Sequence, residues 1–377
     1  MPRSLAIVQT HATQFDTGLF RRLTANGFDL TVYYTEPDPI KPIRDPELGR
    51  TSGWDFDLGS GYSWKAPASK AGGAYVQSIL KAGHDLVVVS GYTQPFSLRL
   101  AFSGRLHGVR IGIRSDSILK YERAGWKRLL KRLGLPLLLK LFHTGHPTGS
   151  LAREYLRSYG MNDDRLFDYP YAIDDGLIGA RLPISRANRA TLRKEFSIPE
   201  NAPVILAAVK FVPREDPLTV LRGFAKATSA RPYAHFLFVG DGELRPAIEE
   251  EIRHHAIPNV HLAGYVPYNR LIDCFAASDI FVHPARFEQW GVSVNEAMEC
   301  GVPVVTADSV GAAADLIVPG ESGDTYPVGD ARALGNVLIR LIDEPERRKS
   351  YAERASISVR HWGYDRTIHE LDRALGQ

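Results

Sequence analysis

The stretch Phe281-Val-His-Pro-Ala-Arg-Phe-Glu288-Gln-Trp-Gly291-Val-Ser-Val-Asn-Glu296-Ala-Met-Glu-Cys-Gly301-Val-Pro303 carries the most structural information in the chain. Ile280 to His283 reads as a buried strand, and a helical pattern begins near Val292. Gly291 lets the chain turn sharply before that helix. Backbone N–H groups around Gln289, Trp290, Gly291, Val292 and Ser293 then face one pocket, with the positive end of the helix dipole behind them. Such a turn suits a phosphate or the leaving oxygen of a diphosphate. Glu288 precedes the turn and Glu296 lies about one turn into the helix, so their carboxylates reach different depths of one pocket. Both suit sugar or ribose hydroxyls as acceptors. Taken alone, two such acids also read as solvated helix-end residues.

Outward from this stretch, short β-branched runs alternate with helical patterns, the sign of parallel sheets covered by helices. In the first half Leu5 to Gln9, Phe28 to Tyr34, Asp85 to Ser90 and Arg110 to Arg114 read as strands, with helices from Thr17 to Ala25 and Pro95 to Leu106. The rhythm is lost near Pro170-Tyr-Ala-Ile-Asp174, and a polar basic segment leads to Ile198-Pro199, where it resumes. Strands are expected at Val204 to Val209, His235 to Val239, Val260 to Leu262 and Ile280 to His283. Helices are expected at Pro217 to Ala227, Glu243 to His254 and Arg270 to Ala277. The expected architecture is α/β, two Rossmann-like doubly wound domains facing a cleft, over residues 1–172 and 173–359. A final helix, about 360–377, is expected to pack back on the first domain.

Composition narrows the class. With 377 residues, 44% hydrophobic and 24% charged, the chain is too long for one ordinary core and too apolar for disorder. Two cysteines, Cys274 and Cys300, make no Cys-x-x-Cys pair, and a reducing cytoplasm fits them. The start has a four-residue apolar run, too short for an export signal, and no stretch approaches a membrane span. Residues 1–174 carry 23 Lys and Arg against 16 Asp and Glu, and residues 101–150 carry 10 against 2. One basic face on the first half follows.

The stretch from Pro284 resembles the signature of the family 4 glycosyltransferases, retaining enzymes of the GT-B fold, in which a Pro-x-x-x-Glu lead is followed by seven residues and Glu-Ala. The resemblance continues through Gly301-Val-Pro-Val-Val305, Gly311-Ala-Ala-Ala-Asp315-Leu and Gly320-Glu-Ser-Gly323-Asp, and it covers essentially the second half. Leu237-Phe-Val-Gly240-Asp-Gly242 looks like the family's strand and turn. Leu262-Ala-Gly264-Tyr265-Val266-Pro267 looks like the segment whose backbone meets the nucleotide base, and Tyr169-Pro-Tyr171-Ala-Ile-Asp174 resembles its hinge, with the usual Asn-Gly pair replaced.

Two departures stand out. The family directs a basic residue and, five positions later, a lysine at the donor diphosphate; here Lys210 fills the first place and Glu215 the second. A carboxylate beside a diphosphate is unfavourable. Arg214, whose guanidinium suits phosphate geometry, is the expected replacement, against the plain alternative of a solvated Arg214–Glu215 loop pair. In the first half no glycine appears in Thr10-His11-Ala-Thr-Gln14-Phe-Asp16, where many relatives have a Gly-Gly loop, and Arg114-Ser-Asp116-Ser117 lacks the histidine that some relatives place near the reacting sugar. Asp116 is the polar candidate left there, and His11 a further cleft candidate. Asp55-Phe-Asp57 resembles the metal-binding Asp-x-Asp of a different glycosyltransferase fold and reads here as a turn.

Trp126-Lys-Arg-Leu-Leu-Lys-Arg-Leu133 and Leu135-Pro-Leu-Leu-Leu-Lys140-Leu-Phe142 combine basic residues with leucine at helical spacing. Residues 126–142 therefore suit peripheral contact with an anionic membrane, or a surface helix with its leucines on the sheet. No nucleic-acid recognition motif accompanies them.

The resemblance implies a metal-independent, retaining glycosyltransferase using a nucleotide-diphosphate sugar as co-substrate and no other cofactor. The acceptor is a saccharide or lipid-linked saccharide, in surface polysaccharide or glycoconjugate synthesis, at the cytoplasmic side of the membrane. Lys210, Glu288 and Asp116 are the expected catalytic residues. Lys210 and Arg214 would meet the phosphates, Gly264, Tyr265 and Val266 the base, Glu288 with Gln289, Trp290, Gly291 and Val292 the donor sugar, and Glu296 the ribose. The alternatives are a bilobed binding protein and a degenerate transferase that binds nucleotide sugar without turnover.

Overall fold

In a computed structural model, residues 3–45, 47–52, 57–121 and 125–376 are described. Asp55 and Phe56 of the Asp55-Phe-Asp57 reading lie outside them. The chain divides into a first unit of residues 1–41, 56–173 and 362–377 and a second of residues 42–55 and 174–361.

The first unit is built on six parallel strands: β1 (Ser4–Gln9), β2 (Asp29–Tyr34), β5 (Ser63–Lys65), β6 (Leu86–Ser90), β7 (Ile111–Ser115) and β8 (Thr144–Pro147), in the order β5-β2-β1-β6-β7-β8. Ala6, Val8, Val87, Val89, Ile111 and Ile113 pack with the helix residues Ile79 and Leu100 into one buried core. Continuous apolar strands are what a sheet covered on both faces requires. The terminal helix Tyr364–Leu375 belongs to this unit: Arg366 reaches Asp168 at 2.6 Å, and the Tyr364 hydroxyl donates to the Phe15 carbonyl at 3.1 Å.

In the second unit β9 (Val204–Ala208), β10 (His235–Val239), β11 (Val260–Gly264), β12 (Ile280–His283), β13 (Val304–Ala307) and β14 (Gly323–Tyr326) form a parallel sheet in the order β11-β10-β9-β12-β13-β14. Helix Pro217–Ala230 packs on Ala331–Asp343 beside it.

Two features depart from the sequence reading. The segment after Asp174, read as a polar linker, forms helices Asp175–Ala187 and Arg189–Glu195, capped at the start by the Asp174 side chain. Its basic residues are structural: buried Arg193 and neighbouring Arg189 each reach Asp279 at 2.7 Å. The first domain is also not continuous over 1–172. A hairpin, β3 (Ile43–Asp45) paired antiparallel with β4 (Arg50–Ser52), clusters with the second unit.

Candidate functional site

β9 and β12 are the neighbours at which the strand order of the second sheet reverses, the point where parallel sheets bind ligands at their carboxyl ends. The loops leaving these two strands carry the candidate residues. After β9, the Val209 N–H donates to Val239 O at 3.0 Å and the Phe211 N–H to Asp241 O at 2.9 Å, clamping this loop against the Gly240-Asp-Gly242 turn. A Cβ at Gly240 would lie 1.8 Å from the Val209 carbonyl oxygen, so this approach excludes any side chain there. Lys210 and Arg214 project from the loop, and Asp216, at a left-handed φ of 50°, redirects the chain into the helix starting at Pro217.

After β12 the loop is stitched from several sides. The Arg286 N–H donates to Arg214 O at 2.7 Å, the Gly311 N–H to Glu288 O at 3.0 Å and the Ala312 N–H to Trp290 O at 2.8 Å. Trp290 is buried, and its indole N–H donates to Asn295 Oδ1 at 2.9 Å. Gly291, at φ 98°, then opens the helix Val292–Glu299, where Val292 and Ser293 offer N–H groups that no intrahelical carbonyl reaches.

These loops bring Lys210, Arg214, Glu288 and the 289–292 turn into one place. Arg214 Nη1 lies 2.8 Å from Glu215 Oε1 and 4.0 Å from Glu288 Oε2. Glu215 is buried, which rules out the solvated loop pair. Burial pushes its carboxyl up to about 7, against the pull of Arg214 and with help from the Glu288 charge. Glu296 is buried one turn into the helix, and burial raises it to about 7, partly offset by a hydrogen bond from Tyr268. Gly264 accepts from the Gly240 N–H at 2.8 Å; Tyr265 beyond it is exposed and Val266 half-buried.

Three features were not expected from sequence. Asp45 and Glu47, from the hairpin, sit on the two cationic candidates: Lys210 Nζ is 2.7 Å from both carboxylates, and Arg214 Nε and Nη2 meet Glu47 at 2.8 and 3.1 Å. Those contacts hold Glu47 down at about 2, chiefly through the Arg214 hydrogen bond. His283, the last residue of β12, is buried; burial lowers its imidazole to about 4, and Arg214 adds to this. Its Nδ1 lies 3.2 Å from Ser293 Oγ, while Nε2 has no hydrogen-bond partner among the described residues. Glu215, His283 and Glu288 each offer a donor atom within 4.8 Å of the others, a grouping among the described residues that could suit a cation.

Asp116 belongs to the first unit and is not among the residues the second unit gathers. It accepts from the Tyr171 hydroxyl at 3.1 Å. Arg114 is buried there on Asp16 at 2.7 Å, with its guanidinium 4.1 and 4.6 Å from the ring centres of Tyr169 and Tyr171. Tyr171, the first of the two residues that replace the family's usual Asn-Gly pair, thus forms with Tyr169 a stacking surface for a buried cation. His11 is half-buried, with its imidazole lowered by burial.

Residues 188–357 match the family of glycosyl transferases group 1. Residues 188–357 are a group 1 glycosyltransferase domain. A GDP-mannose-dependent monoacylated alpha-(1-6)-phosphatidylinositol monomannoside mannosyltransferase of Corynebacterium glutamicum is 30% identical over 192 residues, 48% of this chain and 49% of the relative. A D-inositol 3-phosphate glycosyltransferase of Thermomonospora curvata is 29% identical over 59% of this chain and 54% of the relative. The chain spans about half the length of the curated relatives it matches. Crystal structures of Anabaena HepE with UDP and glucose (TM-score 0.73, 15% identity, 99% of both chains) and of a Rickettsia africae glycosyltransferase (TM-score 0.77, 13% identity, 99% and 98%) share the fold. Each unit thus carries one of the two six-stranded parallel sheets of the GT-B fold.

Proposed function

We propose that the protein is a retaining glycosyltransferase that moves a sugar from a nucleotide-diphosphate donor to a saccharide or lipid-linked acceptor. The observation that carries this reading is the convergence of Lys210, Arg214, Glu288 and the Gly291 helix start on the two strand ends at the sheet's reversal point. Lys210 and Arg214 take the phosphates, Glu296 the ribose hydroxyls, the backbone at 264–266 the base, and Glu288 with the 289–292 turn the donor sugar. Fixed donors aimed at the leaving phosphate stabilise the negative charge that grows there. The acceptor oxygen bonds to the anomeric carbon while the carbon–phosphate oxygen bond breaks on the same face. The electron pair goes to the phosphate oxygen, which takes the acceptor's proton. Asp116 is assigned to the acceptor side.

No resident cofactor enters this scheme, and no metal ion. The guanidinium of Arg214, placed beside Glu215 and Glu288, supplies the positive charge that a cation there would bring. The corynebacterial relative is named for GDP-mannose and a phosphatidylinositol mannoside, which supports a lipid-linked acceptor in glycoconjugate synthesis. UDP in HepE and GDP-mannose in that name leave two bases to be screened.

A peripheral membrane contact at the cytoplasmic face belongs to the same proposal. Trp126, Leu129, Leu130, Leu133 and Leu137 form one exposed stripe of the helix Trp126–Leu139, beside exposed Arg128 and Arg132, while Leu135 and Leu139 join the core. The leucines are thus divided between sheet and solvent, which favours a surface that lies on anionic lipid. Among the described residues no helix is long and apolar enough to cross a membrane.

The deciding experiment is a thermal-shift screen with UDP, GDP, ADP and their sugar conjugates on the wild type and Glu296→Ala, followed by assay of nucleoside diphosphate release with acceptor. Base-selective stabilisation lost in the variant, with acceptor-dependent release, is expected. Stabilisation without release makes the protein a binder, and no stabilisation overturns the donor site.

A further inference from the structure

The hairpin Ile43–Ser52 is separated in sequence from everything it serves, yet it groups with the nucleotide-binding unit. Asp45 ends β3, and its Oδ1 accepts from the N–H groups of Glu47 and Leu48 at 2.9 and 3.1 Å, which fixes the turn that presents Glu47. The turn puts one carboxylate oxygen of Asp45 and both of Glu47 on the cations of the β9 loop. Lys210 is bound by each residue, and Arg214 is held through two nitrogens by Glu47. Two linked anions on a lysine and a bidentate arginine is also the pattern that a diphosphate makes.

We infer that the 43–52 hairpin is a tethered stand-in for the donor diphosphate, and that nucleotide binding requires Asp45 and Glu47 to leave Lys210 and Arg214. The inference rests on the reading that Lys210 and Arg214 hold the donor phosphates. Its physical basis is competition: one pair of cations cannot satisfy two carboxylates and two phosphates together, and the displaced carboxylates return to water at little cost because the hairpin tip is partly exposed. The contact keeps the cations neutralised and oriented while no donor is bound. It also sets a threshold: a singly phosphorylated ligand offers too little charge to displace both acids, while a diphosphate matches them.

The test is titration of the full chain by calorimetry with UDP, GDP and inorganic pyrophosphate, comparing wild type, Glu47→Gln, Asp45→Asn/Glu47→Gln and Lys210→Ala. The amides keep the shape of the hairpin and remove its charge. About tenfold tighter binding of the preferred nucleotide and of pyrophosphate is expected in the double variant, with an intermediate gain in Glu47→Gln. Lys210→Ala is expected to lose binding. Unchanged or weaker binding in both amide variants, with Lys210→Ala still defective, overturns the stand-in and leaves the donor site standing. Full affinity in Lys210→Ala overturns the donor site itself.

Discussion

Arg214 Nη1 rests 2.8 Å from the buried carboxylate of Glu215, and that one guanidinium also faces Glu288 and is gripped by Glu47. It is the charge on which the acidic side of the pocket depends. Removing it takes away the cation nearest to Glu215 and Glu288, whose donor atoms already lie within 4.8 Å of each other and of His283. Arg214→Ala is therefore expected to weaken nucleoside diphosphate binding by tenfold or more, about 1.4 kcal/mol or above. The same variant should gain affinity for Mn2+ or Zn2+, read as metal-dependent thermal stabilisation absent from the wild type. Wild-type turnover should be unchanged by EDTA, and loss of turnover with EDTA would overturn the assignment of Arg214 as the pocket's cation.

Glu296 gives a pH signature. Its folded carboxyl titrates near 7 because burial disfavours the anion, above an unfolded value near 4.5. The folded state therefore holds its proton longer than the unfolded chain. Glu296 contributes full stability below about pH 4.5, and that contribution is lost as pH rises through 7, by at most about 3 kcal/mol. Glu296→Gln lacks the term, so its thermal midpoint relative to wild type should climb between pH 5 and 7 and level off above. Ribose hydroxyls favour the anion, so wild-type nucleotide affinity should rise with pH through 7. Glu296→Gln should lose this part of the rise, separating it from Glu215, which titrates in the same range.

How much of this the sequence contains depends on whether the signal is local. Val204 to Ala208, His235 to Val239 and Ile280 to His283 are legible because each is a short, mostly apolar run, the last two closed by Gly240 and Pro284. The loop from Glu288 to Gly291 is legible because a glycine before a helix has a local backbone meaning. Helix Asp175–Ala187 is obscured by Gly176, Gly179 and Pro183 inside it, and it persists through tertiary pairs such as Arg181 with Asp273 at 2.8 Å. Glu47 on Arg214 is illegible for another reason. The partners are 167 residues apart, and neither has a flanking pattern that points to the other.

Gly291 tests the helix start directly. At φ 98° an alanine is strained, and its Cβ would lie 2.9 Å from Val310 Cγ1 and 3.2 Å from His283 Nε2, both in the buried wall behind the turn. Gly291→Ala should cost about 2 kcal/mol, read as a lowered thermal midpoint, and should weaken donor-sugar conjugates more than the free nucleoside diphosphate. Equal weakening of both would place the 289–292 turn away from the sugar.

The exposed leucine stripe makes the last prediction. Leu129, Leu133 and Leu137 stand out at 61, 65 and 66% exposure, so replacing them removes little folded-state packing, whereas Leu135 and Leu139 are core residues. Leu129→Glu/Leu133→Glu should leave the thermal midpoint within about a degree of wild type, since exposed substitutions shift stability by under about 0.5 kcal/mol. Cosedimentation with vesicles containing anionic phospholipid should fall from measurable to background, because the variant loses apolar area and gains like charge at the headgroups. Wild-type binding should weaken as salt rises from 0.1 to 0.5 M, on the order expected for a Debye length that shrinks below 5 Å. Arg128→Ala/Arg132→Ala should lose that salt dependence while keeping binding to vesicles with packing defects. Binding by the glutamate variant equal to wild type would assign the stripe to something other than lipid.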